Sequence, residues 1–583
     1  MFAGGAPTLA GSGGEPPDGA AGASSLGGSP GGNGGSGGSG GSGGTEATVR
    51  VTDVAALSAA CDPSAIHPGP SPLRRLNKFE YDNTVRDLTG LTTSPSTGLP
   101  FSHDFPPEAL GFFSTAAESQ TTDSTEAADA YKKAAEEIAA AVASAGDARV
   151  TGCDSAAMGE TTCATAFIEV FGKRAFRRPL TAEELTQYQG VFTGGGGSSG
   201  ATYQDRIALI VAAMLQSPNF LYRVEVGEPT PGATAVPLTP YELATRLSYF
   251  LWGSMPDAEL FAAADADALS TVEQLTAQAQ RLLEAPSAHS AVSEFHREWL
   301  AWDGVVESVK SVQDFPSWTP QLPEDLLTEA LTFGDNVFWN DGRLATFLTA
   351  PYSFMNGAVA RLYGLSVQPG DESTFVKVDL DTTERSGILT LGAFLAGFSG
   401  QVASNPVSRG NYIRERLLCA PVPPEPPDLL VPPPSVLPPG LTTRQRVELF
   451  HSVPACTSCH ALIDPLGFAL ENFDAVGNWR AKDNDAPVDA SGTIVGATDP
   501  TTNGPFNGPV ELAQKLASSG DVRACVAAQW FRWTNGRMET FPDDACSLLA
   551  VNQRFRAAGY DMRVLPLAII TTDAFRYRSA GTQ

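Results

Sequence analysis

At 583 residues, with 38 basic against 65 acidic side chains and a net charge of −27, the chain has the length of about three or four domains. So strong an acidic balance disfavours nucleic acid and anionic lipid surfaces as partners. No run reaches the ~18 apolar residues that a membrane span needs, and the nearest, residues 387–398, is short and broken by glycine.

Residues 1–48 hold 19 of the 58 glycines and almost no large apolar side chains, so they read as a flexible Gly/Ser tether. Residues 1–60 together are expected to be a disordered leader. It would suit a lipoprotein stalk whose lipid anchor is missing from this chain. The opening residues, Met1 to Pro7, lack the basic region and apolar core of a secretory signal.

Beyond Cys61 the apolar spacing is almost wholly helical, which predicts a mainly α, multi-domain protein. Expected units are an N-terminal helical domain over 61–128, a second over 129–228 and a central one over 229–380. A helical pair and a proline-rich strap would follow over 381–441, then a C-terminal cytochrome c-like module over 442–583 with a small β insert. Helices are predicted over Tyr131–Ala145, Phe167–Arg177, a segment opened by Thr181 and Glu184, and Ile207–Leu215. Thr239, Pro240 and Glu242 supply cap, first-turn proline and N3 carboxylate for a helix through Trp252; Ser270 and Glu273 open the next. Further helices are expected over Glu324–Trp339, Asn356–Tyr363 and Asn411–Leu418. Phe250, Trp252, Phe295, Trp299, Phe333 and Phe338 fall at helical spacing and are assigned to the core. The run PVPPEPPDLLVPPPSVLPP, residues 421–439, reads as a stiff polyproline II strap. Past it come helices over Thr443–Phe450, Pro509–Ala517, Val522–Thr534, Ala545–Ala557 and Leu565–Asp573, with a β-hairpin insert over 483–508. Asp483, Asp485 and Asp489 miss the spacing of a calcium loop and are expected to be turn residues.

The motif that carries chemistry is Cys456-Thr457-Ser458-Cys459-His460. CxxCH is the attachment pattern of haem c: the two thiols bond the porphyrin vinyls and the histidine becomes the proximal iron ligand. A thioredoxin-like reading wants a βαβ setting that this stretch lacks, and a structural zinc needs four ligands where no second CxxC or HxxxH exists. The other six cysteines, Cys61, Cys153, Cys163, Cys419, Cys525 and Cys546, are even in number. Six cysteines allow fifteen pairings and the sequence alone does not choose among them; local spacing favours Cys153 with Cys163 and Cys525 with Cys546, which would leave Cys61 for Cys419. Haem c and disulfides both imply an extracytoplasmic compartment, the periplasm or a cell surface.

The flanks widen the pattern. His451 to Arg480 reads HSVPACTSCHALIDPLGFALENFDAVGNWR. Earlier stretches are LNKFEYDNTVRDL from Leu76, RAFRRPLT from Arg174, SPNFLYR from Ser217, YELATRLSYFLW from Tyr241 and SNPVSRG from Ser404. Together they closely resemble the cytochrome-like secreted proteins of the planctomycete and myxobacterial type, built from several domains of unknown function. The resemblance spans nearly everything after residue 60. It implies an exported haem protein and supplies no reaction.

On this reading His460 is the proximal ligand, its Nδ1 proton donated to a backbone carbonyl in a turn over Ala461–Pro465. Trp479, with Phe473, would pack on the ring edge, and Arg480 would pair with a propionate. The distal ligand is expected downstream at Met538, with Met562 as the alternative. His451 is a further alternative, matching a histidine that the resembling proteins place just ahead of the motif. An iron without a sixth protein ligand would suit peroxide or oxygen chemistry. The expected function is therefore a monohaem electron-transfer protein with an unspecified redox partner. The alternatives are a haem-dependent oxidoreductase on an extracytoplasmic substrate, or a binding protein whose CxxC is a disulfide.

Overall fold

The computed structural model describes residues 49–92, 95–96, 99, 113–120, 125–145, 153–194, 201–229, 231–366, 373–422 and 440–580. The proposed tether and nearly all of the proline strap lie outside them. The chain is mainly α, and among the described residues the strands form only two-stranded antiparallel pairs. Among the described residues no helix is long and apolar enough to cross a membrane.

Local chemistry accounts for most helix starts. Thr239 and Glu242 close a reciprocal capping box with Pro240 in the first turn, and the helix runs Pro240–Trp252, as predicted, to a left-handed Gly253. Thr181 and Glu184 exchange the same pair of bonds ahead of the helix Ala182–Gly194. The predicted Ser270–Glu273 box is displaced by one residue: Thr271 and Gln274 form it, ahead of Val272–Leu283. Thr443–Phe450 and Ala545–Ala557 have the predicted bounds. The helix predicted from Asn411 begins instead at Pro406, capped by Asn405, and ends in a wider turn over Ile413–Leu417. Pro at the first helical position with Asn before it is a start signal that the later apolar periodicity hid.

Two large cores organise the chain. The first packs Lys78–Thr89, Thr125–Ala145, Glu160–Phe176 and Tyr203–Leu215 around Tyr81, Phe167, Phe171 and Ile210. The second gathers Phe113 and residues from Leu238 to Phe575 and includes five of the six aromatics assigned to it, fully or nearly buried; Trp252 packs at its edge, with its indole N–H on Leu282 O. Motif-flanking residues such as Leu466 and Phe473 belong to that same core, so the C-terminal helices and the central ones are packed together.

The part of the expected leader that is described is ordered. Asp53 caps the helix Val54–Ala60, which buries Leu57 against Phe531 and Leu548. Cys61 at its end is bonded to Cys546, and Cys419 to Cys525. The pairing of Cys525 with Cys546 and Cys61 with Cys419 is thus overturned, because the first helix packs on Ala545–Ala557 and brings Cys61 there. Cys153–Cys163 is the pair that spacing predicted.

Candidate functional site

The motif lies inside a helix, Pro454–Phe468, with proline at its first turn. A three-residue link joins it to Thr443–Phe450, which ends at His451. On a helix, residues three and four apart share a face, so Cys456, Cys459 and His460 lie along one stripe. Both thiols are free and half-buried, whereas the six remaining cysteines are closed in disulfides. Leu449 and Val453 stand exposed just ahead of the thiols.

The expected turn over Ala461–Pro465 does not form. The segment stays helical through Pro465, so its carbonyls point along the axis and none turns back to the His460 ring. A side chain takes the Nδ1 proton instead: His460 Nδ1 is 3.0 Å from Asp464 Oδ1, one helical turn on. The other carboxylate oxygen, Oδ2, is 2.6 Å from His451 Nδ1. Asp464 is buried, and the two imidazoles stack with centroids 3.4 Å apart and planes 26° off parallel. His451, His460 and Asp464 offer ligand atoms within 4.8 Å of one another. Asp464 is the residue that sequence reasoning missed, and its signal was the i, i+4 spacing from His460.

The helix is gripped by backbone on two sides. Gly410 and Gly467 let Pro406–Tyr412 cross it at backbone contact: a Cβ on Gly467 would lie 1.8 Å from Pro406 O, and one on Gly410 2.1 Å from Ile463 O. Gly492 of the β insert also meets this helix, where a Cβ would lie 2.3 Å from Pro465 O. Arg409, fully buried, donates to the carbonyls of Leu395, Leu470, Phe473 and Asp474 and to Ser399 Oγ, tying the crossing helix to the loop beyond the motif. Burial pulls its guanidinium down to about 10.

That loop holds the other predicted residues. Phe473 and Trp479 meet edge to face at 5.2 Å, and Asp474 accepts from the N–H groups of Val476 and Asn478 in the turn between them. The Arg480 guanidinium is occupied within the protein, pairing with Glu471 at 3.0 Å and Asp483 at 3.1 Å and donating to Ser404 Oγ. Burial pushes the Glu471 carboxyl up against the pull of Arg409 and Arg480. Asp483 also accepts the N–H of Thr443, and Asp489 that of Ser491, so both serve as turn and cap residues.

The two methionines stand on other elements. Met538 follows the helix Gly520–Asn535, 16 residues or about 24 Å long. Asp521 at its start accepts from Thr498 and Asp499 N–H, close to where Gly496 meets Leu462 of the motif helix; its far end lies by Arg74 and Thr115. Met538 is beyond that far end. Met562 is completely buried in the larger core, its N–H donating to Gly342 O.

Five families, each described as a protein of unknown function, match along the chain: DUF1587 over 74–144, DUF1595 over 163–225, DUF1592 over 238–365, DUF1588 over 385–483 and DUF1585 over 503–575. The chain carries the five domains of the planctomycete cytochrome-like proteins. No curated protein and no solved structure matches it. The DUF1588 match contains both the crossing helix at Pro406–Tyr412 and the motif helix, the two elements that meet at glycine. The three disulfides are consistent with an extracytoplasmic protein.

Proposed function

We propose that the chain is an exported haem c protein that transfers electrons, with Cys456 and Cys459 as thioether donors and His460 as proximal ligand. The observation that carries this reading is the state of the cysteines. Six are consumed in disulfides, and the two that remain thiols stand one helical turn apart on a half-exposed face, directly before a histidine whose Nδ1 is already bonded. The donor set fits haem c: Nε2 of His460 has no hydrogen-bond partner among the described residues, and exposed Leu449 and Val453 flank the thiols. Bound there, haem would supply one-electron chemistry. The chain's own residues attach and orient it.

Expressed with a c-type maturation system, the protein should keep its Soret band through denaturation and acid–acetone extraction. Extraction of the chromophore, or a Cys459→Ala variant that holds haem as tightly, would refute attachment. A haem-dependent oxidoreductase is the second reading. It is favoured by the position of Met538 past the far end of its helix and by His451 lying beside His460. Carbon monoxide separates the two. A reduced spectrum that ignores the gas supports electron transfer, and ready binding supports chemistry at the iron.

A further inference from the structure

We infer that Asp464 is a positioning residue shared by two histidines, and that His451 supports the proximal side of the site as the second member of a His451–Asp464–His460 triad. The redox part of this inference rests on the haem reading; the assignment of tautomers and sides does not.

A carboxylate only accepts hydrogen bonds. With Asp464 Oδ1 on His460 Nδ1 and Oδ2 on His451 Nδ1, each neutral ring must carry its proton on Nδ1. Each Nε2 is then left as a lone-pair donor, and neither has a hydrogen-bond partner among the described residues. Asp464 is 6% exposed, so water does little to loosen this arrangement. Its rotamer is doubly determined, because one oxygen answers a residue on its own helix and the other a residue at the end of the preceding helix.

The same geometry assigns a side to His451. Ligands on opposite faces of an iron point their nitrogens at each other along one axis. Here the rings stand face to face at 3.4 Å, with both Nδ1 atoms turned to one carboxylate. His451 is thus a neighbour of the proximal ligand, stacked on its face and leaving its Nε2 edge clear. A ligand histidine that donates to a carboxylate is a stronger donor than one that donates to a carbonyl, and it stabilises the ferric state. The triad therefore sets a lower potential than the carbonyl-bonded histidine that the motif by itself implies.

Two measurements on the full chain test this. In protein expressed without haem maturation and labelled with 15N-histidine, long-range nitrogen–proton correlations at a pH where both rings are neutral should show His460 and His451 as Nδ1–H tautomers. The chain has six histidines in all, which keeps the assignment tractable. Asp464→Asn, which keeps one acceptor oxygen and replaces the other by a donor, should hold at most one ring as Nδ1–H, and Asp464→Glu should restore at least His460. An Nε2–H tautomer at His460 in the wild type would overturn the triad. In matured protein the midpoint potential should be higher in Asp464→Asn than in the wild type. A potential unchanged in Asp464→Asn would also overturn it, whereas far-UV circular dichroism equal to wild type confirms that the variants are folded. A wild type that acquires no covalent haem would sink the haem reading alone, since the tautomers are read without it.

Discussion

Replacing Gly467 by alanine tests the packing on which the site depends, because two effects of known size oppose each other there. In a helix interior alanine is favoured over glycine by about 1 kcal/mol, so an isolated motif helix would gain from the change. Against that, the new Cβ would lie 1.8 Å from Pro406 O and 2.5 Å from its carbonyl carbon. Ordinary carbon contacts are about 3.5 Å, so the two helices must part by more than 1 Å at their crossing. The obstructing atoms are backbone and cannot rotate away. Arg409, one turn along the crossing helix, would have to stretch several buried hydrogen bonds. Overpacking of this kind costs about 1–3 kcal/mol, and strained buried bonds to a charged group add to it. A net loss of about 2–3 kcal/mol is expected, read as a lowered urea midpoint in far-UV circular dichroism. Gly190→Ala is the control: that glycine is exposed in the helix Ala182–Gly194 with open space around its Cβ, and it should give equal or slightly higher stability. A Gly467→Ala protein as stable as wild type would show that the helices do not cross at backbone contact.

Two further outcomes follow from groups remote from the motif. Non-reducing peptide mapping should join Cys61 to Cys546 across 485 residues and Cys419 to Cys525, and the double variant Cys61→Ala, Cys546→Ala should lose about 2–5 kcal/mol; a Cys525–Cys546 peptide would refute the pairing. Glu329 is fully buried between Ser353 and Tyr363, and burial pushes its carboxyl up to about 7. The folded state therefore keeps this proton to higher pH than the unfolded chain. Its contribution is complete below the ordinary glutamate range and is lost as pH rises through about 7. Glu329→Gln should flatten that fall in urea midpoint between pH 5 and pH 8, and an unchanged slope would count against it.

The sequence displayed its helices through capping chemistry, which is local, and this is why Thr239-Pro240 and the box at Thr181 were legible to the residue. It displayed less where a decision was made across space. The pairing of Cys61 depends on a seven-residue helix docking on Ala545–Ala557, and no spacing rule reports that contact. Arg480 in the stretch that follows CxxCH suggested a propionate partner, but Glu471, nine residues upstream, and Asp483 fold back on it. The motif itself was plain from five residues, while the hydrogen-bond partner of His460 was misread for one reason: Pro465 suggested a turn, and the segment stays helical through it. Proline inside a helix removes one bond and is tolerated when neighbours fix the backbone. Here Gly410, Gly467 and Gly492 let those neighbours come close enough to do so.

The grip on the motif helix is uneven along its length, and that unevenness bears on what the rest of the chain is for. Toward Phe468 the helix is held by backbone contacts, by Arg409 and by the Phe473–Trp479 turn, all continuous with the core that reaches back to Leu238. Toward Pro454 it carries two half-exposed thiols, with apolar side chains open to solvent beside them. His460 and Asp464 lie between these ends. A group attached at the thiols would be reachable from outside, yet its proximal histidine would be anchored through Asp464 to the rigid half. A small carrier achieves such anchoring with a short loop and its carbonyl. This chain uses a carboxylate on a helix that cannot shift without disturbing the larger core. The first place to look for the effect of that anchoring is the potential of the wild type against Asp464→Asn.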